Sequence, residues 1–387
     1  MQTAVVDALK QSLVIEGGFR LSGCVRAAGN KNAALPILAA SLLTDEPVTL
    51  ENVPRINDVD TMLALLRHTG AEADWTGTNE VRVHAAEIAT TELDEDLCRE
   101  IRASILLAGP LLARCGRASV PPPGGDVIGR RRIDTHMHAF EALGVEYTVG
   151  RRFELSAPAL RGTSLFLDEA SVTATENAIM AASLASGETL IGNAACEPHV
   201  QDLCRFLVIL GAEIEGIGSN LLRIEGVERL GLHVRVDGSS VHVPPDQELV
   251  IHDDLGGQIP KIEDGPWPAF PADLTSIAVT VATQARGTIL IFEKMFESRL
   301  FFVDKLVSMG ARIILCDPHR VVVTGPATLY GERLESPDIR AGMAMVIAAL
   351  SAEGTSTIGN IRQIDRGYER IDERLRGIGA AIERVEL

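Results

Sequence analysis

Apolar residues along this chain follow two alternating rhythms. An alanine-rich run with helical spacing leads through a turn into a short strand-like run, and the combination recurs. The copies are ILAASLLTDEPVTLEN ending at Asn52, IMAASLASGETLIGN ending at Asn193, VTVATQARGTILIFE ending at Glu293 and MVIAALSAEGTSTIGN ending at Asn360, with a weaker fifth, ILLAGPLLARCGRASV. A second amphipathic segment closes each unit on a glycine before another strand, at Gly70, Gly144, Gly211, Gly310 and Gly379. Glycine there predicts a left-handed helix C-cap. The step from the end of the first half to that glycine hardly varies: Asn52 to Gly70 is 18 residues, Asn193 to Gly211 is 18, Glu293 to Gly310 is 17 and Asn360 to Gly379 is 19. A sixth glycine signature, ERLGLHVRV at Gly231, stands only 20 residues beyond Gly211. The other full steps are roughly 70 residues, so this unit lacks its first half and is about 50 residues short.

A unit with two helices cannot bury both helix faces alone. The repeats therefore predict an α/β protein in which units share a helical core with sheets outside. An ordinary doubly wound parallel sheet is the alternative.

Composition narrows the partners. With 387 residues, 46% hydrophobic content and a net charge of −17, the chain is long enough for two domains with a core each. Acidity and only 4% aromatics argue against nucleic acid. Six scattered cysteines form no C-x-x-C pair and stand near no histidines at metal spacing, so reduced structural thiols and no metal or cofactor are expected. The opening MQTAVVDALKQSLVIEGG lacks a basic, apolar leader, and no apolar run approaches the ~18 residues of a membrane span. A cytoplasmic protein is expected.

Four clusters carry candidate chemistry. In AAGNKNAALP, Lys31 and Asn32 open a helix, where a lysine and free backbone N–H groups suit phosphate; a solvated lysine is the plainer alternative. In PPPGGDVIGRRRIDTH, Gly124 and Gly125 allow close backbone approach to Asp126 and to arginines 130–132, with Arg102 upstream in REIRAS. Three successive arginines cannot all face one ligand, and an anion site competes with a solvated face. Prolines 266, 268 and 271 stiffen the approach to Asp273, a candidate general base or a helix N-cap. Late arginines, Arg299, Arg340 and Arg366, each stand where a strand yields to a helix. Together these groups describe a site for a multiply charged, phosphate-bearing small molecule.

These residues also carry a resemblance. The stretches LSGCVRAAGNKNAALPILAASLL, IRASILLAGPLLAR, GGDVIG, ASVTATEN, NAACEPHVQDL, PAFPAD, FESR and QIDRGYERIDERLRGIGA are similar to the UDP-N-acetylglucosamine enolpyruvyl transferases (1-carboxyvinyltransferases) of peptidoglycan synthesis, over nearly the whole chain. The resemblance implies a two-domain inverse α/β barrel of six units, three per domain, with the active site in the interdomain cleft. For this chain that gives a central domain over 31–232 and a composite domain from 1–30 plus 233–387, one unit of which is truncated. It implies enolpyruvyl transfer from phosphoenolpyruvate to the 3-hydroxyl of UDP-N-acetylglucosamine, with release of phosphate and no cofactor.

Residue by residue, the resemblance makes Asp126 the proton donor, where most members carry a cysteine that fosfomycin alkylates. Lys31, Arg131, Arg340 and Arg366 fall on phosphoenolpyruvate contacts. Asn32, Arg102, Ser171, Val172, Asp273 and Arg299 fall on the UDP-sugar side, with Asp273 also the candidate base. Two features depart from the pattern: Glu169 replaces a family lysine, and the crossing segment expected after Arg223–Gly231 is missing. A sugar-nucleotide-binding paralogue with impaired catalysis, or an enolpyruvyl transferase with another acceptor, are the competing readings.

Overall fold

A computed structural model describes residues 11–125, 132–227, 248–254 and 257–386. The chain divides into two compact units. One comprises residues 28–127 and 131–238; the other gathers 1–27, 128–130 and 239–387.

In the first unit three sheets surround a set of helices. Strands Val48–Leu50, Val81–His84 and Glu72–Trp75 form one sheet, and Arg117–Val120, Phe153–Ser156 and Glu146–Val149 a second. The third is four-stranded, in the order Glu213–Glu215, Leu221–Glu225, Glu188–Gly192, Ser164–Phe166. Helices Lys31–Ala40, Ala108–Cys115 and Val172–Ala182 are buried along most of their length and rich in alanine, which lets backbones pack closely. Their apolar residues join one core with the inward side chains of all three sheets.

The composite unit shows two four-stranded sheets among its described residues. One runs Arg333–Glu335, Thr355–Gly359, Gln11–Glu16, Ala381–Glu386, and the other Lys261–Glu263, Gly287–Phe292, Arg320–Gly325, Ile313–Asp317. Helices Thr275–Gln284 and Ile339–Ser351 pack against each other inside. Pairing is mostly antiparallel, with one parallel pair per four-stranded sheet. A doubly wound sheet is thereby ruled out for these elements.

The punctuation of the repeat is visible in the backbone. Gly70, Gly144, Gly211, Gly310 and Gly379 all have φ between 93° and 105°, as their C-capping role requires. Asn52, Asn193 and Asn360, which end the first halves, are also left-handed, with φ of 52° to 57°. Asparagine is one of the few side chains that tolerate this conformation. The truncated unit around Gly231 lies at 228–247, outside the described residues; the strand Leu221–Glu225 just before it is fully paired on both sides.

Candidate active site

Most candidate residues stand at helix starts, where unpaired N–H groups and the helix dipole favour anions. Lys31 is the first residue of its helix. The Asn30 side chain caps that helix, accepting from the backbone N–H of Asn32 at 2.7 Å and of Ala33 at 3.2 Å. Lys31 forms an ion pair with Asp58, whose side chain is 4% exposed. Asp58 opens the helix Asn57–His68. Sequence reasoning missed it, since nothing local in RINDVDTM announces a partner 27 residues upstream.

Arg102 starts the helical turn Arg102–Leu107. Its guanidinium donates to the backbone oxygens of Pro123, at 3.5 Å, and Arg132, at 3.3 Å. It thus ties together the two chain segments that flank Asp126 and Arg131, which themselves lie outside the described residues. On the near side Gly124 passes so close to the preceding helix that a Cβ would sit 1.8 Å from the Arg99 carbonyl oxygen. Only glycine fits there. Of the three arginines, Arg132 is committed elsewhere, to Asp134 and, at 2.6 Å, to Asp168. Asp168 also accepts from the Thr135 hydroxyl at 2.9 Å, and these bonds hold its carboxyl below the usual carboxylate range. Glu169 stands 3.9 Å from Arg132.

Ser171 caps the helix Val172–Ala182, accepting from the Ala174 N–H at 3.4 Å, and Val172 is that helix's first residue. Beside it begins the helix Asp134–Ala142, joined to it by the ring of fully buried His136. His136 Nε2 lies 3.1 Å from the Thr173 hydroxyl and Nδ1 lies 3.0 Å from the Asn177 amide nitrogen. An amide N–H₂ can only donate, so Nδ1 accepts and the proton sits on Nε2. Burial, reinforced by nearby Arg102, pushes the imidazole down to about 3, so it stays neutral. Asn177 also accepts from the Gly109 N–H at 2.9 Å and donates to the Ile105 carbonyl at 2.9 Å. The His136–Asn177 network was likewise not foreseen.

In the composite unit Asp273 occupies the helical turn that precedes Thr275–Gln284. One carboxylate oxygen accepts from Arg340 at 2.6 Å and the other from Arg299 at 3.2 Å. Burial opposes its ionisation, but Arg340 and then Arg299 outweigh burial, and the carboxyl is held well below its ordinary range. Asp273 is therefore an anchored anion in this state rather than a ready base. Arg340 is the second residue of the helix Ile339–Ser351, capped by Asp338. Its contact with Asp273 shows that these two helices start beside one another. Arg299 is nearly buried, its guanidinium stacked 4.4 Å from the centre of the Phe296 ring. Arg366 ends the short helix Arg362–Asp365 and donates to Gln363 at 3.0 Å. The neighbouring Gly367 lies against Arg340: a Cβ there would sit 3.3 Å from an Arg340 guanidinium nitrogen. Tyr368 packs beside this group, its hydroxyl pushed up by burial.

The structure thus gathers Asp273, Arg299, Arg340 and Arg366 in one unit, and sets Lys31, Asn32, Arg102, Ser171 and Val172 at helix starts of the other. Among the described residues no group of three or more metal-ligating side chains is close enough to hold an ion. No helix there is long and apolar enough to cross a membrane.

This architecture is that of the enolpyruvyl transferases. Residues 15–249 and 238–375 match the family described as EPSP synthase (3-phosphoshikimate 1-carboxyvinyltransferase). The fold is similar to the crystal structure of the enolpyruvyl transferase NikO from Streptomyces tendae, with a TM-score of 0.83 at 24% identity, covering 97% of this chain and 99% of that one. It is also similar to EPSP synthase from Acinetobacter baumannii, with a TM-score of 0.70 at 16% identity, covering 97% and 100%. Among curated relatives, UDP-N-acetylglucosamine 1-carboxyvinyltransferase of Bradyrhizobium diazoefficiens is 56% identical over 420 residues, 96% of this chain and 97% of its own. The protein of that name from Treponema pallidum is 52% identical over 416 residues, 95% and 98% of the two chains. The chain belongs to the UDP-N-acetylglucosamine 1-carboxyvinyltransferase family.

Proposed function

We propose that the protein transfers the enolpyruvyl group of phosphoenolpyruvate to the 3-hydroxyl of UDP-N-acetylglucosamine, in the cytoplasm and for peptidoglycan synthesis. In the addition step the 3-hydroxyl gives up its proton to a base as its oxygen bonds to C2 of phosphoenolpyruvate, while an acid delivers a proton to the C3 methylene. In the elimination a proton leaves C3 as the C2–O bond to phosphate breaks. The observation that carries this reading is the pair of cation-bearing helix starts, Lys31 in one unit and Arg340 beside Asp273 and Arg299 in the other. Each suits an anionic group such as a carboxylate or a phosphate.

Asp126 is assigned the delivery of the proton to C3. Lys31, Arg131, Arg340 and Arg366 hold phosphoenolpyruvate; Asn32, Arg102, Ser171, Val172, Asp273 and Arg299 serve the sugar nucleotide. Asp273 becomes a stronger base once the substrate carboxylate draws Arg340 from it, because losing that cation raises its pKa.

The truncated unit belongs to the same proposal. The Bradyrhizobium alignment spans 420 positions yet takes in 96% of 387 residues, about 372, which leaves about 48 positions with no counterpart in this chain. Three sheets in one unit against two in the other, among the described residues, support placing that gap in the composite domain, 1–30 plus 233–387, rather than in 31–232. The gap favours a second reading, a paralogue that binds the sugar nucleotide but turns over poorly. Calorimetric titration with UDP-N-acetylglucosamine followed by a phosphate-release assay with phosphoenolpyruvate separates them. Binding with release supports transfer, binding alone supports the paralogue, and neither overturns both.

A further inference from the structure

The repeat makes one substitution in its own pattern, and it falls beside Asp273. Each four-stranded sheet contains one parallel strand pair, in register at Phe166 and Gly192, Glu335 and Gly359, and Glu263 and Phe292. The next residue pair along each is therefore structurally equivalent: Leu167 with Asn193, Ser336 with Asn360, and Asp264 with Glu293. Backbone bonds confirm the equivalence. The N–H groups of Leu167, Ser336 and Asp264 donate to Gly192, Gly359 and Phe292 at 3.0, 3.1 and 3.2 Å. In the first two copies the left-handed asparagine donates its amide to the facing backbone carbonyl, Asn193 to Leu167 at 2.8 Å and Asn360 to Ser336 at 2.7 Å. In the third copy both positions are acids.

Glu293 is 0% exposed and Asp264 is 2% exposed. Asp264 is occupied by the backbone N–H groups of Lys294 and, at 3.3 Å, Met295. Neither Glu293 oxygen has a geometrically sound hydrogen bond, nor do the buried hydroxyls of Thr275 and Ser276 at the start of the helix that follows Asp273. The groups acting on the Glu293 carboxyl are Asp264, Arg299 and the Thr275 hydroxyl, and His319 bonds only its backbone carbonyl, at 2.8 Å. Two carboxyls shut together away from water cannot both ionise cheaply. Burial first, and Asp264 after it, push Glu293 up to about 8.

We propose that Glu293 is a positioning residue for enolpyruvyl transfer: neutral, it leaves Arg299 to Asp273, and ionised, it draws Arg299 away. The proposal rests on the function given above. The fold does not require an acid at this position, since two copies of the repeat fill it with asparagine.

The test compares wild type with Glu293→Gln and Glu293→Asn in the full chain, by phosphate release from phosphoenolpyruvate and UDP-N-acetylglucosamine at pH 6 to 9.5 and by Tm over pH 5 to 9. Wild-type kcat/KM should fall above about pH 8, where Glu293 ionises. Glu293→Gln, a permanent neutral mimic, should stay within about 3-fold of wild type at pH 7 and lose that alkaline limb. Glu293→Asn should fold, because it restores the repeat's own solution, yet lose about 10-fold or more, since the shorter side chain leaves Asp264 to compete for Arg299. A neutral buried acid resists the ionisation that unfolding allows, so the Tm of Glu293→Gln should gain on wild type as pH rises from 5 to 8 and level off beyond. An unchanged alkaline limb in Glu293→Gln, or Glu293→Asn equal to wild type, overturns the proposal. If wild type releases no phosphate, the transferase reading fails, while a Tm gap independent of pH still separately overturns the neutral state of Glu293.

Discussion

The two units hold their cations in different ways. In residues 28–127 and 131–238 one lysine, Lys31, meets one buried carboxylate, Asp58, and the pair is neutral. In the composite unit Asp273 is shared by two arginines, Arg299 and Arg340, at the start of adjacent helices. A lysine on a nearly buried carboxylate and an aspartate held by two arginines differ in how much each cation depends on its partner. Asp58 and Asp273 are also unlike in replaceability. Removing Lys31 takes the paired cation from nearly buried Asp58, whereas removing either Arg299 or Arg340 leaves the other on Asp273.

The largest effect is expected at Asp126. Asp126→Ala should lower turnover by ~10²–10⁴, the range for loss of a general acid, with UDP-N-acetylglucosamine affinity by calorimetry close to wild type. Full rate in the variant would assign the proton to another group. Next, the balance itself can be broken. Lys31→Ala should cost about 3–5 kcal/mol in chemical denaturation, because it removes the cation paired with the buried Asp58 carboxylate, and adding Asp58→Asn should recover much of that. Arg340→Ala should cost less than half as much stability but lower kcat/KM for phosphoenolpyruvate by at least 10-fold; equal losses at Lys31 and Arg340 would erase the contrast between the units.

A pH dependence sharpens the comparison further. His136 is neutral when folded and has a depressed pKa, near 3, so below its ordinary value of about 6.5 the unfolded chain takes up a proton that the folded chain refuses. Stability should fall by up to about 1.4 kcal/mol per unit as pH drops from 6.5 towards 3. His136→Gln should flatten that slope; an unchanged slope would place the acid sensitivity elsewhere. Asp273, depressed in the other direction of charge, contributes stability above the ordinary aspartate pKa that is lost only in stronger acid. The smallest expected effect is none: fosfomycin should not inhibit, since the carboxylate at Asp126 offers no thiolate to alkylate. Time-dependent inhibition or a covalent mass increase would contradict it.

What could be read from the sequence follows from how locally each feature is determined. A left-handed backbone position admits few residue types, so Gly70, Gly211, Gly310, Gly379 and the three asparagines mark their units at a fixed spacing. Helix starts are equally local, and they led to Lys31, Asn32, Asp273 and Arg340, while Ser171 came from the family resemblance. Partners were not legible. Asp58, the His136–Asn177 contact across 41 residues and the Asp264–Glu293 juxtaposition are created by sheets and helices docking, which leaves no periodic trace. Glu293 illustrates the limit: its place in the repeat was visible, but its meaning depends on Asp264, 29 residues earlier on another strand. Arg102 was placed among the ligand contacts by its motif, and its hold on Pro123 and Arg132 became visible only in three dimensions.

Helices that begin side by side point like poles at one another, as Thr275–Gln284 and Ile339–Ser351 do through Asp273 and Arg340, and as Asp134–Ala142 and Val172–Ala182 do through His136 and Thr173. At the first pair Asp273 offsets that repulsion. A small anion seated at such a pair should act as a structural counterion. Melting should then rise with phosphate concentration by the amount RT ln(1 + [L]/Kd), and a Tm indifferent to phosphate would contradict it.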